Sequence, residues 1–492
     1  MSFEPTWESV RTHRVPGWFD DAKLGVFLHW GLYSVPAWAP QVPDIHTILR
    51  DHDPAWLFRN SPYAEWYLNT MQLEGSPTRQ HHADTYGAAT PYDAFREPFD
   101  DASSGADLDA LADLCRRTGA GYVVLTTKHH DGFCLWPSSQ RHPAKGVYHA
   151  RRDLVGDLTD AVRAAGLRMG LYYSGGFDWP FNNAVVRGVA DMVLAVPRSP
   201  EYAAYCNAHL RELIERYEPS VLWNDIACPP GLDLARLFAD YYDAVPEGVV
   251  NDRWTQTELP DRSAPNAAVM AVGATLQSLW RFVPESWKDL DLQRPRHADF
   301  RTPEYTSRSE ISDDKWESTR GIGHSFGANR SERPEDILST TELVRSFVDI
   351  VSKNGNLLIG VGPEPGGTIP SWQAEPLLGL GAWLEVNGEA VFGSRPWRRA
   401  EGATAQGTPA RFTQRDGAVY AVLLEAAPTR RVELRGIDAT GVEDVHVLGV
   451  DEGVAWEVVD GTLSVTLPDR LPVTPALTLR LSPSEAVRPL AG

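Results

Sequence analysis

Short apolar segments that end abruptly in polar or aromatic residues recur along the first three quarters of the chain. An uninterrupted apolar run of roughly four to eight residues is typical of a strand that is covered on both faces. The predicted strands are Leu24 to Leu28, Tyr122 to Leu125, Met169 to Tyr173, Val221 to Trp223, Val249 to Val250 and Leu357 to Val361.

Helical patterns lie between these strands. Leu108, Leu111 and Cys115 recur at spacings of three and four residues, which places them on one buried face of a helix. Further helices are predicted at 154–162, Tyr202 to Tyr217, Leu232 to Val245, around Ile337 to Val351, and Ser371 to Val386. Strand and helix alternate to about residue 390, which favours a barrel of βαβ units over a doubly wound sheet, because FLHWGLYS after the first strand lacks GxGxxG.

The pattern changes after about Ala400, where short alternating segments are broken by Gly, Asp and Pro. Such segments are typical of an all-β module. The predicted fold class is therefore α/β, with a (β/α)8-like, TIM-type barrel over residues 1–395 and a C-terminal all-β sandwich domain over 396–492. Asp261 to Arg296 is irregular and is expected to form a loop over the barrel mouth.

Charge and cysteine content narrow the class of protein. The 492 residues include 46 Lys and Arg against 66 Asp and Glu, a net charge of −20, which repels nucleic acid and anionic lipid. No run reaches the ~18 apolar residues of a membrane helix, and the N-terminal segment lacks the features of a secretion signal, so we expect a cytoplasmic protein. The four cysteines contain no CxxC and are expected to be reduced and mostly buried.

The predicted strand ends carry the candidate chemistry, as the C-terminal face of a barrel does. They hold His29, Lys128-His129-His130-Asp131, Tyr172, Asp225 and Asp252-Arg253. Several of these groups adjoin aromatic residues, of which the chain has 17 Trp, 16 Tyr and 16 Phe. Aromatic rings beside charged or amide groups suit a carbohydrate, which has apolar C–H faces and a ring of hydroxyls.

Glycoside hydrolysis commonly needs one protonated and one ionised carboxyl group. Asp225 is the best ionised candidate because it ends an apolar strand, and Arg253 on the following strand is expected to keep its pKa low. The acid stays open from spacing alone, between Glu65, Glu304, Glu310 and Glu317.

A metal-dependent hydrolase is the competing interpretation of Lys128-His129-His130-Asp131. Adjacent histidines in an extended segment point to opposite faces, and the chain has no HxH pair or third ligand at a convincing spacing. We therefore predict no metal at these residues.

Nine ordered segments over most of residues 7–395 resemble the α-L-fucosidases of glycoside hydrolase family 29. They are WFDDAKLGVFLHWGLYSVPAW, EWYLNTM, YVVLTTKHHDGFCLW, GLYYSGGFDW, VLWNDI, VNDRW, DFRTPEY, KWESTRGIGHSFGANR and SKNGNLLIGVGPEPGGTIP. The resemblance implies a retaining exo-glycosidase that releases L-fucose from fucosylated oligosaccharides or glycoconjugates through a covalent fucosyl-enzyme. It implies neither a metal nor an organic cofactor.

The same resemblance implies the role of individual residues. The nucleophile matches Asp225, and the acid/base matches Glu304. The fucose-pocket residues match His29, Glu65, Trp66, His129, His130, Tyr172, Trp223, Arg253 and Phe326. An aromatic wall such as Phe326 suits the methyl group of a 6-deoxy sugar, and the polar side chains suit its hydroxyls.

An insertion separates Arg253 from Glu304 by 50 residues, more than the common arrangement in the family. It carries Trp280 and Trp287, which are candidates for shaping the aglycone site or for packing on the barrel or a neighbouring subunit. If this loop is threaded differently, Glu310 or Glu317 replaces Glu304. The alternative functions are a catalytically silent carbohydrate-binding barrel and a barrel glycosidase of a related sugar; the linkage, the aglycone and a homo-oligomeric state are left open.

Overall fold

The computed structural model describes residues 2–256, 295–425, 429–469, 471 and 473–490. Its first sheet contains seven strands, all parallel. They are β1 (Leu24–Leu28), β2 (Tyr122–Lys128), β3 (Arg168–Ser174), β4 (Val221–Asp225), β5 (Val249–Val250), β6 (Trp316–Gly321) and β7 (Gly355–Val361). The predicted strands are confirmed, and β6 is an addition.

Helices alternate with these strands, as the sequence pattern predicts. They are α1 (Trp7–Val10), α2 (Gly17–Ala22), α3 (Ile45–Asp51), α4 (Pro54–Arg59), α5 (Tyr67–Thr70), α6 (Pro77–Tyr86), α7 (Arg96–Ser104), α8 (Leu108–Arg117), α9 (Leu154–Ala164), α10 (Trp179–Asn182), α11 (Val189–Ala195), α12 (Pro200–Tyr217), α13 (Leu234–Ala244), α14 (Thr340–Ser352) and α15 (Ser371–Asn387). Side-chain caps fix several of their starts: Asp107, Asp153 and Ser199 accept backbone N–H groups at the first turns of α8, α9 and α12.

The strands follow the order β5-β4-β3-β2-β1-β7-β6, and the closing segment, residues 299–305, lies between the two edges. The Asp299 N–H donates to the Val250 carbonyl of β5 at 2.9 Å, and the Tyr305 N–H donates to the Thr319 carbonyl of β6 at 2.9 Å. These bonds close the ring at the eighth strand position. The predicted (β/α)8-like barrel is therefore confirmed, with an irregular segment in place of one regular strand.

The barrel strands are buried on both faces, because their apolar runs meet helices outside and aromatic rings inside. Leu24, Val26 and Leu28 of β1 belong to the large core beneath the helices. Phe27 points the other way and packs on Trp223, with ring centroids 5.2 Å apart. This alternation is the side-chain period of a β-strand, and it places an aromatic layer inside the barrel.

The C-terminal part is all-β, as predicted. Its strands are β8 (Arg395–Thr404), β9 (Pro409–Arg415), β10 (Ala418–Leu423), β11 (Arg431–Arg435), β12 (Ile437–Asp438), β13 (Asp444–Val447), β14 (Ala455–Val459), β15 (Thr462–Thr466), β16 (Leu477–Ser482) and β17 (Arg488–Pro489). Eight of them form an antiparallel sheet in the order β13-β16-β10-β9-β8-β11-β15-β14, and β12 pairs with β17. The domain boundary after residue 395 stays a prediction.

Strand β10 joins the two parts because both of its faces are buried. Val419 and Ala421 lie in the apolar core of the all-β part, whereas Tyr420 and Val422 lie in the core of the barrel. Trp383 of α15 also donates its indole N–H to the Ala476 carbonyl at 2.9 Å. The all-β part is thereby packed against the helical layer of the barrel.

The four cysteines are buried and unpaired, as predicted. Among the described residues, no helix has both the length and the apolar character needed to cross a membrane.

A polar cluster anchors the start of the closing segment. The carboxylate of Asp299 accepts hydrogen bonds from the Val250 N–H and the Tyr242 hydroxyl, both at 2.8 Å, and pairs with His13 Nδ1 at 2.8 Å. The carboxylate is almost fully buried. Removing it takes the acceptor from the buried Val250 N–H and breaks the contacts with Tyr242 and His13.

We expect Asp299→Ala to lower the free energy of unfolding by about 3 kcal/mol, because buried donors left unsatisfied cost about 1–3 kcal/mol each. Urea titration measures the loss. Asp313→Ala, at an exposed carboxylate in the loop before β6, is the control and should change stability by less than about 0.5 kcal/mol. Equal stability of the two variants would contradict this role of Asp299.

Candidate active site

A cavity of about 340 Å³ opens at the C-terminal ends of the barrel strands. All eleven site residues predicted from the sequence line it. They are His29, Glu65, Trp66, His129, His130, Tyr172, Trp223, Asp225, Arg253, Glu304 and Phe326. The side chains come from distant parts of the chain, so the fold brings them together.

Asp225 is the last residue of β4, and three donors hold its carboxylate. Oδ2 accepts the Tyr172 hydroxyl at 2.8 Å, and Oδ1 accepts the Ile226 N–H at 2.8 Å. Oδ1 also lies 2.9 Å from Arg253 Nη1. Hydrogen bonds from a cation and from N–H and O–H donors stabilise the ionised form, so the geometry suits an ionised carboxylate with a fixed orientation.

Arg253 joins the two carboxylates of the pocket. Its Nη1 lies 2.9 Å from Asp225 Oδ1 and 2.6 Å from Glu304 Oε1. Its guanidinium lies over the Trp223 ring, 4.7 Å from the ring centroid, and its Nε donates to the Thr302 hydroxyl. Burial alone would lower the pKa of Arg253, but the nearby carboxylates raise it above its usual range. The side chain is therefore a permanent cation between two acids.

Glu304 lies on the closing segment, and its side chain is about 39% exposed at the mouth of the pocket. The three other candidate acids lie elsewhere or are held by other groups. Glu310 is exposed and does not line the cavity. Glu317 lies below the cavity and accepts hydrogen bonds from the Tyr122 hydroxyl and the Trp223 indole N–H. Glu65 lines the cavity, but its carboxyl group is hydrogen-bonded to Ser325 and Gly327, which follow β6 in the chain.

Glu65 belongs to a short 3-10 turn, residues 64–66, that brings it and Trp66 to the pocket. Its Oε2 accepts hydrogen bonds from the Ser325 hydroxyl and the Gly327 N–H, both at 3.0 Å. Burial raises the pKa of Glu65 to about 7, although these hydrogen bonds oppose the shift. Glu65 can therefore present either a carboxyl or a carboxylate to a ligand near neutral pH.

The three histidines of the pocket are neutral in the folded protein. Burial lowers the pKa of His29 to about 3 and the pKa of His129 and of His130 well below its usual value. The Nδ1 atoms of His29 and His129 are buried and have no hydrogen-bond partner in the protein. Buried polar groups without a partner are rare in proteins, so a ligand hydroxyl fits these positions.

The tautomer of His130 follows from its neighbours. The Ser174 hydroxyl donates to the Phe177 carbonyl at 2.9 Å, so its oxygen accepts a hydrogen bond from His130 Nδ1 at 2.7 Å. With the proton on Nδ1, neutral His130 carries a free acceptor at Nε2, which lies 3.8 Å from Asp225 Oδ2. The pocket thus offers an acceptor next to the carboxylate.

Aromatic rings surround the polar groups. Trp223 and Tyr172 stack with centroids 5.5 Å apart. Phe326 lies 5.0 Å from His29 and 5.8 Å from Tyr63, measured between ring centroids. The arrangement combines flat apolar surfaces with hydroxyl-binding groups, as the sequence predicts for a sugar site.

Eight pocket-lining residues lie outside this predicted set. They are Phe27, Ile45, Leu57, Phe58, Tyr63, Met192, Ile226 and Thr319. Most lie on short helices or turns whose sequences have no strand-end pattern. Ile226 directly follows Asp225, and Phe27 lies two residues before His29 in a predicted strand, so these positions beside predicted site residues could have identified both.

Lys128 and Asp131, the first and last residues of the Lys128-His129-His130-Asp131 motif, do not line the pocket. Lys128 lies under Tyr173 and pairs with Asp178 at 3.2 Å, fully buried. Asp131 accepts the Tyr92 hydroxyl at 2.8 Å. These two charged residues therefore stabilise the strand end that presents the histidines.

Within the described residues, a single group of three side chains has metal-ligand spacing: His13, His297 and Asp299, with ligand atoms within 4.8 Å of one another. The group lies at the start of the closing segment and does not line the pocket. Its atoms are already bonded to each other and to Tyr242, whose hydroxyl is 2.7 Å from His297 Nε2. These contacts indicate a structural cluster.

Residues 257–294 lie outside the described part of the chain. This range contains most of the predicted mouth loop, Asp261 to Arg296, and both insertion residues, Trp280 and Trp287. Their predicted roles therefore stay predictions. The described chain resumes at residue 295 and leads directly into the closing segment.

Comparison with known proteins identifies one family. The alpha-L-fucosidase family model matches residues 1–389. The chain is 31% identical over 407 residues to the alpha-L-fucosidase of Dictyostelium discoideum, covering 81% of this chain and 76% of that protein. It is 30% identical over 482 residues to the tissue alpha-L-fucosidase of Homo sapiens, covering 96% and 89%.

A solved structure agrees with these relatives. The alpha-fucosidase of Thermotoga maritima, in complex with a mechanism-based inhibitor, is 40% identical to this chain and superposes with a TM-score of 0.81. The match covers 98% of this chain and 100% of the other.

The raised pKa of Glu65 predicts a pH-dependent stability. Its proton is bound more tightly in the folded protein, so the stabilisation is complete below about pH 4.5 and is lost as the pH rises through 7. The side chain introduced by Glu65→Gln cannot ionise. Between about pH 4.5 and 7, the free energy of unfolding of this variant should therefore rise relative to that of the wild type by about 1 kcal/mol per pH unit. Urea unfolding at pH 5 and pH 7.5 measures the change. The free energy of unfolding of Glu310→Gln, at an exposed site, should change with pH as that of the wild type does. If Glu65→Gln showed this same pH dependence, the prediction would be contradicted.

Proposed function

The chain belongs to the alpha-L-fucosidase family and is an alpha-L-fucosidase, and from this we propose that it hydrolyses terminal α-L-fucosides with retention of configuration. In the proposed double displacement, Asp225 is the nucleophile and Glu304 is the acid/base. Fucosylated oligosaccharides or glycoconjugates are the proposed substrates.

The observation that carries the proposed mechanism is the shared contact of both carboxylates with Arg253 Nη1. Asp225 Oδ1 lies 2.9 Å and Glu304 Oε1 lies 2.6 Å from this one atom, so the two oxygens are no further apart than the sum of these distances, 5.5 Å. Carboxyl groups of retaining glycosidases are about 5–5.5 Å apart, whereas inverting enzymes need about 6.5–9.5 Å to admit a water molecule. The bound on this oxygen pair agrees with the short spacing of a retaining site, which supports the proposed retention.

In the first step, a carboxylate oxygen of Asp225 attacks the anomeric carbon as the bond to the leaving oxygen breaks. Glu304 gives its proton to that oxygen, and the aglycone leaves as a neutral alcohol. In the second step, Glu304 takes a proton from water, the water oxygen attacks the anomeric carbon, and the Asp225 carboxylate is released. Asp225 thus returns to its ionised state between Arg253 and Tyr172.

The remaining pocket residues are proposed to bind the sugar. The free nitrogens of His29, His129 and His130 suit the fucose hydroxyls, because each otherwise lacks a strong partner in the pocket. Phe326 supplies an apolar surface for the methyl group, and Trp223 stacks below. A galactose-type sugar carries a hydroxyl at this methyl, which an apolar wall leaves without a partner. The proposed steps use only side chains of this chain.

The cytoplasmic location predicted from the sequence stays a prediction. The four buried, unpaired cysteines support a reducing compartment.

Asp225→Gly tests the nucleophile. The variant should lose activity on 4-nitrophenyl α-L-fucoside by at least ~10³-fold in kcat, because no carboxylate can attack the anomeric carbon. Azide should restore turnover and produce the β-fucosyl azide, formed by a single displacement. Activity like that of the wild type would exclude Asp225 as the nucleophile.

Glu304→Ala tests the acid/base. The variant should lose far more activity on fucosides with poor leaving groups than on 4-nitrophenyl α-L-fucoside, since a good leaving group needs little protonation. Azide should rescue it and yield the α-fucosyl azide. Glu310→Ala, which removes an exposed glutamate six residues later, is the matched control and should behave as the wild type. Loss of activity in the control instead of the test variant would reassign the acid.

A further inference from the structure

One wall of the pocket is apolar and has no role in the proposed chemistry. It is formed by Ile45 of α3, Leu57 and Phe58 of α4, Met192 of α11 and Ile226 after β4. We call these five residues the apolar wall. Phe58 belongs to an apolar cluster with Trp66, and Met192 and Ile226 pack against the same cluster. Phe58, Met192 and Ile226 thus form one continuous surface, and Ile45 and Leu57 line the same cavity.

The apolar surface extends beyond the pocket along two of its helices. Leu49 lies one helical turn after Ile45, on the same side of α3, and is 36% exposed. On α11, Val189 lies one turn before Met192 and Val193 directly follows it; they are 43% and 38% exposed. Large exposed apolar side chains that continue a pocket are typical of a ligand groove.

The backbone at Ile226 ties the apolar wall to Asp225. Its φ is 69°, and the Ala227 N–H donates to the Asp225 carbonyl at 2.9 Å, which is a γ-turn of the rare form with positive φ. A β-branched residue is strained in this region, at a cost of about 1–3 kcal/mol, whereas glycine is not. The turn directs the Ile226 N–H to the carboxylate, and the side chain joins the apolar wall.

The position of the apolar wall indicates what it contacts. The hydroxyl-binding groups and the stacked Trp223 come from the strand ends, at the closed bottom of the pocket. The helices α3, α4 and α11 contribute partly exposed side chains, so they lie at the opening. A terminal sugar bound at the bottom must have its leaving group at the opening, where Glu304 is also exposed.

The chemistry of the apolar wall favours an apolar leaving group. Among the described residues, every lining side chain from α3, α4 and α11 is apolar. A second sugar can pack at most a C–H face on this surface, and each hydroxyl turned toward it loses water without gaining a hydrogen bond there, which is unfavourable. An aryl or alkyl group would gain burial at no such cost.

We propose that the apolar wall is the leaving-group subsite, and that it selects α-L-fucosides whose aglycone is an aryl or alkyl group over those whose aglycone is a second sugar. The proposal rests on the proposed function of this site and narrows its substrates, fucosylated oligosaccharides or glycoconjugates, to conjugates in which fucose is linked to an aryl or alkyl group.

A series of 4-alkylphenyl α-L-fucosides tests the proposal. The alkyl chain lengthens from methyl to hexyl while the acidity of the phenol stays nearly constant, so changes in kcat/KM report binding of the leaving group. We expect kcat/KM of the wild type to rise about 2- to 4-fold with each added methylene, until the chain leaves the apolar surface. We also expect octyl α-L-fucoside to be cleaved with a higher kcat/KM than fucosyl disaccharides, although the leaving alcohols of the disaccharides are the more acidic.

Variants connect the effect to particular residues. Met192→Ser within the pocket and Leu49→Ser on the exposed face should each lower the hexyl-to-methyl ratio of kcat/KM. Because the ratio is measured within one variant, partial loss of folded protein cancels. Val459→Ser, at an exposed valine on β14 of the all-β part, is the matched control and should keep the wild-type ratio.

The outcomes separate the two proposals. A flat or falling series in the wild type, a preference for disaccharides, or unchanged ratios in both Met192→Ser and Leu49→Ser would overturn the leaving-group subsite and leave the fucosidase mechanism intact. Absence of hydrolysis of every fucoside would overturn the proposed function as well.

Discussion

The buried guanidinium of Arg253 is the interaction on which the active site depends. Asp225 and Glu304 have one oxygen each within 5.5 Å of the other, so in the state in which both are ionised they repel strongly unless a cation lies between them. Arg253 provides that cation, and its planar group is held in place by Trp223 below and by Thr302 beside it. One side chain therefore holds one oxygen of each carboxyl group within 5.5 Å of the other, as the proposed double displacement requires.

The second carboxylate reaches Arg253 because of the way the barrel closes. Glu304 lies on an irregular segment, and a long insertion precedes it. The segment is nevertheless held in register by backbone bonds to β5 and β6 and is anchored by the buried carboxylate of Asp299. Because the insertion ends before this anchor, Glu304 still contacts Arg253 at 2.6 Å, although 50 residues separate the two in the sequence.

Apolar patterns were a sufficient guide to the elements buried on both faces, such as β1, β4 and the helix α12. The apolar patterns did not predict β6, because its sequence WESTRG is polar. One of its polar residues, Glu317, points into the barrel and accepts hydrogen bonds from Tyr122 and Trp223. The strand-end rule located Asp225 and Arg253. The choice of Glu304 among four glutamates needed the family resemblance, because the contact with Arg253 depends on tertiary structure. The apolar wall was missed because α3, α4 and α11 are short helices without a clear period.

The central claim is that Asp225 and Glu304 are close enough to act by double displacement. Proton NMR of the sugar released in the first moments of hydrolysis, before mutarotation, tests it most directly on the unmodified enzyme. The account predicts that α-L-fucose appears first, with the configuration of the substrate. Initial release of β-L-fucose would show a single displacement by water and would contradict the account.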